Sequence, residues 1–270
     1  MEQDGRNVRC YAEVLIQLET VTTCCAKCTF CPARGYERAG HVMSMDLFKK
    51  IIDEVSTIPE ITIVDFSGLG EPLLDPFIEE RISYVKQNTK AQTQFATNGI
   101  LLYPVRLDSI RNAGLDNLII SLNANSAEQH EKIMQVKGQF PRVLKNIEYA
   151  LVKGGYVTVH AVITGDTFTN EDAQEFVRRW GKFACCRKEI RHGTGKPNPA
   201  RCWRALTNIY VMYDGTMTPC CFDMLGKLVL GNLSNQSIRE IYNSSKHLGF
   251  REDHWENRAD KWDICRNCPR

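Results

Sequence analysis

The chain has 270 residues, of which 43% are hydrophobic and 24% are charged, so it is long enough to bury a large core. Lys and Arg total 34 against 32 Asp and Glu, and this balance gives no global reason to expect a nucleic-acid or membrane-surface protein. Its first twenty residues hold no apolar core of about seven residues, and no apolar run of about 18 residues occurs. We therefore expect neither a signal peptide nor a membrane-spanning helix, and a cytoplasmic location.

Strand-like and helix-like segments alternate along the first two thirds of the chain. The predicted strands are 13–18, 61–66, 92–96, 117–122, 156–163 and a short one at 189–191. The predicted helices are 45–55 (with Ser44 as N-cap), 77–86, 104–112, 127–134, 143–153 and 171–180. Nearly continuous apolar strands indicate a parallel sheet covered by helices. Six units favour an α/β fold with an open, partial (β/α)6 TIM-type barrel, although the pattern alone does not exclude a closed eight-fold barrel.

The rhythm changes after about residue 191. Segments 208–213 and 216–218 flank Asp214-Gly215, which is a strong hairpin signal. A short strand at 228–230, a helix at 237–249 and a cysteine-bearing tail follow. We therefore expect two domains: residues 1–190 form the partial barrel, and residues 191–270 form a small domain of a β-hairpin plus a helix.

The cysteine count of 12 is the unusual feature of the composition. In a chain without a secretory signal, clustered thiols indicate metal or redox chemistry before disulfides. Cys24-x3-Cys28-x2-Cys31 follows the first predicted strand, where a parallel barrel places its catalytic loops. Three thiolates at this spacing suit an iron–sulfur cube with one iron left open. Two alternatives remain: Cys25 permits a second register, and a zinc site could use a distant fourth ligand such as His41.

A second motif, Gly68-Leu69-Gly70-Glu71-Pro72, follows the second predicted strand. With the cysteine motif, it resembles the radical S-adenosylmethionine (SAM) superfamily. That resemblance implies a [4Fe–4S] cluster whose open iron binds SAM, and a 5′-deoxyadenosyl radical that abstracts a substrate hydrogen atom. The cofactor then carries the hard chemistry, while the protein orients it and excludes water. A flavodoxin- or ferredoxin-type electron donor is implied as well.

The same resemblance assigns roles to single positions. The implied cofactor-binding residues are Phe30, Gly68, Gly70, Glu71, Asn98 and Ser121. The Gly-rich turn would face the methionine amino group, and glycine lets the main chain approach closely. Ser121 matches a polar position that meets the ribose or carboxylate, Asn98 is similarly placed, and Phe30 resembles a residue that supports the adenine. The structural alternatives are a simple turn at Asn98, a strand-end cap at Ser121 and loop packing at Phe30.

A second group of cysteines lies in the last third of the chain. Cys202, Cys220 and Cys265-x2-Cys268 provide four soft ligands around the predicted hairpin and helix. Alone, this pattern indicates a zinc ribbon. Beside the first motif it resembles the SPASM/twitch extension of radical SAM enzymes, and its shortened form resembles that of dehydrogenases acting on aminocyclitols. The resemblance implies one auxiliary [4Fe–4S] cluster, with Cys221 as an alternative to Cys220.

Three further cysteines, Cys10, Cys185 and Cys186, have no partner spacing. Buried small hydrophobic residues explain them most simply, and a thiol hydrogen donor near the substrate is the alternative.

His192 lies at the predicted domain junction, so we hypothesise that it is the catalytic base, unless it is a solvated loop histidine. Residues 178–204 carry nine Lys or Arg against one acid, which indicates a solvated face or an anionic substrate, with RNA the weakest option.

An auxiliary cluster is useful where an electron must leave the substrate after hydrogen abstraction. Loss of that electron and a proton from a carbon radical yields a carbonyl group. We therefore expect an oxidoreductase that dehydrogenates a small hydroxylated or sugar-like molecule. A peptide maturase that oxidises, cross-links or epimerises its substrate is the second hypothesis, and a zinc-stabilised binding module is the third.

Overall fold

The computed structural model describes residues 14–31, 40–188, 202–266 and 268. The described strands form one sheet in the order β6-β5-β4-β3-β2-β1-β7-β8-β9. Their bounds are Val14–Leu18 (β1), Ile61–Asp65 (β2), Gln92–Thr97 (β3), Asn117–Ser121 (β4), Tyr156–Ile163 (β5), Ala184–Lys188 (β6), Asn208–Val211 (β7), Thr216–Thr218 (β8) and Gly231–Asn232 (β9). Strands β1 to β6 are parallel to their neighbours, which confirms the predicted partial (β/α)6 barrel.

Helices follow the barrel strands, as predicted. Their bounds are Met45–Val55 (α1), Ile78–Asn88 (α2), Pro104–Asn112 (α3), Ala127–Met134 (α4), Phe140–Lys153 (α5), Asn170–Trp180 (α6), Trp203–Thr207 (α7), Ile238–Tyr242 (α8), Ser245–Trp255 (α9) and Asp263–Arg266 (α10). Helix α1 illustrates how the local sequence determines where a helix begins and which face it buries. The Ser44 hydroxyl accepts a hydrogen bond from the Leu47 backbone N–H at 3.2 Å. Its buried residues Phe48, Ile51 and Ile52 share one face because they are three or four positions apart.

The hairpin of the last third continues the barrel sheet. Strand β7 lies parallel to β1, with Leu15 opposite Asn208 and Leu18 opposite Val211, and β8 then pairs antiparallel with β7. The predicted hairpin is therefore confirmed, and its strands extend the same sheet. The apolar side chains of Ile209 and Val211 belong to one core with those of the barrel strands.

Polar contacts also join α1 to the segment after the hairpin. The Lys50 ammonium donates to the Leu233 carbonyl at 2.6 Å, and the Glu54 carboxylate accepts from the Ile238 backbone N–H at 2.6 Å. The second contact satisfies a donor at the N-terminus of α8, where backbone N–H groups lack helical partners. The predicted boundary after residue 190 stays a prediction, since residues 189–201 lie outside the described residues.

Three predicted elements differ from the structure. The sixth strand is Ala184–Lys188, because the short turn Gly181–Phe183 already ends α6; the predicted strand at 189–191 lies outside the described residues. The predicted helix 237–249 is two helices, since Ser244 caps α9 with its hydroxyl. The short strand predicted at 228–230 is displaced to Gly231–Asn232.

Candidate active site

The carboxyl ends of the barrel strands border one large cavity of about 1730 Å³. All nine residues predicted for the first cluster and for the cofactor line it: Cys24, Cys28, Phe30, Cys31, Gly68, Gly70, Glu71, Asn98 and Ser121. The lining does not include Cys25. The choice of the Cys24-x3-Cys28-x2-Cys31 register over the one that uses Cys25 stays a prediction.

The cysteine loop is held by the end of helix α4. The backbone N–H groups of Lys27 and Thr29 donate to the carbonyls of Met134 and Ile133 at 3.1 and 2.9 Å. Carbonyls in the last turn of a helix lack helical partners, so the loop satisfies them. The same turn places the Met134 sulfur 3.5 Å from the Cys28 sulfur. Sequence reasoning missed this support, which joins residues more than 100 positions apart.

The Gly-rich turn packs tightly against the start of the cysteine loop. A Cβ on Gly70 would lie 2.1 Å from the Val21 carbonyl oxygen, and one on Gly68 would lie 2.7 Å from Cγ of Glu19. Real Cβ atoms do not approach backbone this closely, so glycine is required at position 70. The requirement comes from packing within the protein, in addition to the predicted close approach of SAM.

Glu71 is a buried carboxylate at the wall of the cavity. It accepts hydrogen bonds from the Thr97 hydroxyl at 2.6 Å, from the Asn98 backbone N–H at 2.9 Å and from the Leu73 N–H at 3.2 Å. Burial raises the pKa of Glu71 to about 7, against the opposing effect of the hydrogen bonds. These contacts fix the carboxylate rigidly, as a group that binds an ammonium requires.

Asn98 connects Glu71 with the cysteine loop. Its side-chain amide nitrogen lies 3.3 Å from the Cys25 sulfur and 3.8 Å from the Cys24 sulfur. The amide orientation is set by its oxygen, which accepts from the Ile100 backbone N–H at 3.0 Å. A hydrogen bond from the Cys24 thiol, and then Asn98, lower the pKa of Cys25 to about 6.

The second group of cysteines surrounds the end of β8. Cys202 is the N-cap residue of α7, and Cys220 follows β8 after Pro219. The pKa of Cys220 is raised by a hydrogen bond with the Cys221 thiol and by burial, and the proximity of Cys202 adds to the increase. Cys202, Cys220 and Cys221 are therefore near one another, and the choice between the last two stays a prediction.

The Cys265-x2-Cys268 turn closes the C-terminal region. The Cys268 backbone N–H donates to the Cys265 carbonyl at 3.0 Å. The Cys265 sulfur lies 3.3 Å from Nε2 of His254, whose Nδ1 bonds the Phe250 carbonyl at 2.7 Å. Residues 261–264, just before this turn, line the large cavity. Sequence reasoning missed His254, because nothing in its local pattern distinguishes it from a core histidine.

Arg204 joins this region to the barrel interior. Its guanidinium donates to the Cys221 sulfur at 3.1 Å and lies 5.2 Å from the Phe222 ring centre. Burial raises the pKa of Asp65 on β2, and the positive charge of Arg204 opposes that increase. All four of these residues line the cavity. The cavity thus extends from the first cysteine loop to the second cysteine group.

The remaining predicted residues have mixed outcomes. His192 and Cys10 lie outside the described residues. Cys186 faces α6, where its sulfur lies 3.9 Å from the Ala173 carbonyl, as expected for a packing residue. Cys185 instead lines the cavity, and neither thiol is fully buried. Sequence reasoning also missed His160, which lines the same cavity; its signal was a lone histidine in the alternating strand Thr158-Val159-His160.

The thiols suit a cluster better than a single ion. Within the described ranges, no three Cys, His, Asp or Glu side chains converge closely enough to hold one metal ion. A mononuclear zinc site needs its ligands about 2.0–2.3 Å from one point, whereas each thiolate of an iron–sulfur cube binds its own iron. Cys24, Cys28 and Cys31 share a wall of the large cavity, which fits a cluster with space beside it.

Comparisons with known proteins agree with this geometry. The radical SAM superfamily model matches residues 18–179, and that of SPASM, an iron-sulfur cluster-binding domain, matches residues 202–269. A probable GTP 3',8-cyclase of Methanococcus maripaludis is 34% identical over 151 residues, which are 56% of this chain and 48% of the relative. The chain thus spans about half the length of such curated relatives.

One relative matches nearly end to end. The S-adenosyl-L-methionine-dependent 2-deoxy-scyllo-inosamine dehydrogenase of Niallia circulans is 22% identical over 94% of this chain and 92% of its own length. Among solved structures, BtrN in complex with AdoMet and 2-DOIA has a TM-score of 0.67 at 19% identity, covering 96% of this chain and 94% of that one. The enzyme anSMEcpe with AdoMet and the Cp18Cys peptide has a TM-score of 0.71 at 17% identity, with coverages of 95% and 88%; both likenesses concern the fold. The radical SAM model matches more than half of the residues of this chain, and the chain therefore belongs to the radical SAM superfamily.

Proposed function

We propose that this radical SAM enzyme dehydrogenates a hydroxylated small molecule, such as an aminocyclitol or a sugar, and passes an electron to its auxiliary [4Fe–4S] cluster. The observation that best supports this proposal is that one cavity reaches both the Cys24–Cys31 loop and the segment at Cys221. A substrate in this space lies between the two iron–sulfur sites. The end-to-end similarity to an aminocyclitol dehydrogenase supports the substrate class.

The first site prepares the substrate for hydrogen abstraction. Cys24, Cys28 and Cys31 would hold the cluster, and the fixed carboxylate of Glu71 would accept the methionine ammonium of SAM. When bound, the cluster and SAM supply a 5′-deoxyadenosyl radical that takes a hydrogen atom from the substrate. The protein contributes position and shielding, because buried apolar residues that line the cavity, such as Leu69, exclude water.

The second site would receive the electron that the oxidised substrate releases. Its proposed ligands are Cys202, Cys220, Cys265 and Cys268. Arg204 places a positive charge between this site and the cavity through its contact with Cys221. A cation there stabilises the extra negative charge of a reduced cluster, because electrostatic interactions are strong where water is excluded.

A peptide substrate is the second candidate. Two structural neighbours, anSMEcpe and Streptococcus suis SuiB, were solved with bound peptides. The cavity of about 1730 Å³ exceeds the range of roughly 300–1,000 Å³ for small-molecule sites. That volume must also accommodate SAM, so it does not by itself favour a peptide.

Two expectations about the surroundings remain proposals. The electron for SAM cleavage would come from a flavodoxin- or ferredoxin-type donor. The cytoplasmic location is likewise an expectation; within the part of the chain that the structure describes, no helix has the length and apolar character needed to cross a membrane. The zinc-stabilised binding module is set aside, because membership of the radical SAM superfamily indicates an iron–sulfur enzyme.

The test is an anaerobic incubation of the reconstituted enzyme with SAM, dithionite and a panel of aminocyclitols, including 2-deoxy-scyllo-inosamine, and sugars. We expect a product two mass units lighter than one panel member, formed with one equivalent of 5′-deoxyadenosine. The control omits dithionite. Formation of 5′-deoxyadenosine without any oxidised panel member would contradict the proposal and direct the search to peptides.

A further inference from the structure

Strand β5 presents a polar side chain to the middle of the cavity. Thr158, His160 and Val162 line the cavity, whereas Val159 and Ala161 between them are buried in the core, as the two-residue period of a strand requires. The side chain of His160 therefore lies at the wall of the space where the substrate of the proposed reaction would bind. Its Nε2 atom is buried in that wall, and a rotation of the ring would bring a nitrogen to the cavity surface.

The sheet register places two polar neighbours beside His160. It lies opposite Ser121 on β4 and opposite Cys185 on β6, and both of these residues also line the cavity. Neighbouring strands are about 4.8 Å apart. Ser121, His160 and Cys185 thus form a row of polar side chains across three strands, beginning at the predicted SAM-binding position.

The imidazole has capacity to accept a proton. Its Nε2 atom is buried and makes no hydrogen bond to any residue that the structure describes. Burial, and secondly the charge of Arg187, lower the pKa of His160 to about 4. The ring is therefore neutral near pH 7, and a neutral imidazole carries one nitrogen with a free lone pair.

The acidic side chains that line the cavity are already engaged. Each accepts a hydrogen bond or forms an ion pair within the protein: Asp65, Glu71, Asp166, Asp223 and Asp263. Cys185 carries a thiol, and its sulfur is only a weak hydrogen-bond acceptor. Among the described residues that line the cavity, His160 is therefore the best placed base.

We propose that His160 is the catalytic base that accepts the hydroxyl proton of the substrate. The inference rests on the proposed dehydrogenation. After the C–H bond is broken and its hydrogen atom is transferred to the 5′-deoxyadenosyl radical, the O–H bond of the resulting carbon radical breaks. The hydroxyl proton goes to His160, and the unpaired electron of the carbon radical reduces the auxiliary cluster by one electron. A C=O bond forms. A weak base is sufficient, because loss of an electron from the adjacent carbon makes the hydroxyl group strongly acidic.

The test compares His160→Gln with the matched control Cys186→Ala, which alters a side chain of β6 that faces α6 and does not line the cavity. Both variants are reconstituted and incubated with the panel member that the wild type oxidises, using SAM deuterated at C5′. We expect His160→Gln to lower ketone formation by at least about 100-fold, as for loss of a general base, while SAM affinity stays within about twofold. The stalled radical then takes hydrogen back from 5′-deoxyadenosine, so deuterium enters the recovered substrate. Cys186→Ala should keep most of the wild-type rate.

Each outcome separates the inference from the function on which it rests. Wild-type failure to oxidise any panel member removes the proposed dehydrogenation and the base with it. Wild-type turnover with equal turnover by His160→Gln overturns the inference alone, as does an equal loss in Cys186→Ala. If His160→Gln binds less iron than the wild type, His160→Ala decides: added imidazole should restore ketone formation, and absence of rescue in an iron-replete variant would contradict the role.

Discussion

Gly70→Ala is the sharpest test of how the Gly-rich turn supports the cysteine loop. The added methyl group would lie 2.1 Å from the Val21 carbonyl oxygen and 3.0 Å from that of Thr23. Both atoms are backbone, and the Thr23 carbonyl also accepts from the Glu71 N–H at 2.8 Å, so neither segment can move freely. We expect the free energy of unfolding to fall by about 3 kcal/mol, the upper end of the usual overpacking cost. In a chain of this size the Tm would fall by roughly 6–12 °C.

The assay is thermal unfolding of the anaerobically reconstituted enzyme, with iron content measured on the same sample. Because the displaced segment leads directly to Cys24, we also expect less iron and weaker SAM binding. Gly249→Ala is the matched control: no atom lies within 4 Å of its added methyl group, and Gly249 lies within helix α9. Alanine there should raise the free energy of unfolding by about 0.5–1 kcal/mol. A Gly70→Ala enzyme with wild-type Tm and iron content would refute the packing argument.

Three further predictions concern the iron content, SAM binding and pH. Joint replacement of Cys24, Cys28 and Cys31 by Ala should reduce iron from about eight to about four atoms per chain; a loss of all iron would contradict two independent clusters. Glu71→Gln should weaken SAM binding by about 10- to 100-fold in calorimetry, since a charged hydrogen-bond acceptor is lost; unchanged affinity would exclude the proposed contact. Burial lowers the pKa of His247 to about 3, so the folded protein keeps this ring neutral while the unfolded chain protonates it below about pH 6.5. The free energy of unfolding therefore falls on acidification, and this residue contributes about 1 kcal/mol of the loss between pH 7 and 5.5. Urea unfolding of His247→Phe should lack that part of the loss. An equal loss in the variant would contradict the role of His247.

Local patterns carried most of the correct sequence predictions. The cysteine spacing and the Gly68–Glu71 turn each occupy a few consecutive residues, and their position after successive parallel strands brings them to one edge of the sheet. The structure accordingly places all nine predicted residues of this site on one cavity. Their common location could be predicted because the topology of a β/α barrel is implied by the order of its strands, whereas the roles of these residues stay predictions.

Features that depend on long-range pairing were not predictable. Strand β7 joins β1 through partners such as Ile16 and Ile209, and no local pattern specifies a pairing across nearly 200 positions. The row of Ser121, His160 and Cys185 depends likewise on the register between three strands. Sequence reasoning chose His192 as the base from its place at the predicted domain junction, and that hypothesis stays a prediction because His192 lies outside the described residues. The base that we propose, His160, lies within barrel strand β5.

The most direct measurement of the central claim is the effect of SAM on the reduced first cluster. In an enzyme reduced with dithionite under anaerobic conditions, we predict that SAM changes the electron paramagnetic resonance signal of the cluster and is cleaved to methionine and 5′-deoxyadenosine. The Cys24, Cys28 and Cys31 triple variant, which keeps the auxiliary site, should show neither effect. A wild-type cluster whose spectrum is unchanged by SAM and that yields no 5′-deoxyadenosine would contradict the claim that these three thiols leave one iron open to the cofactor.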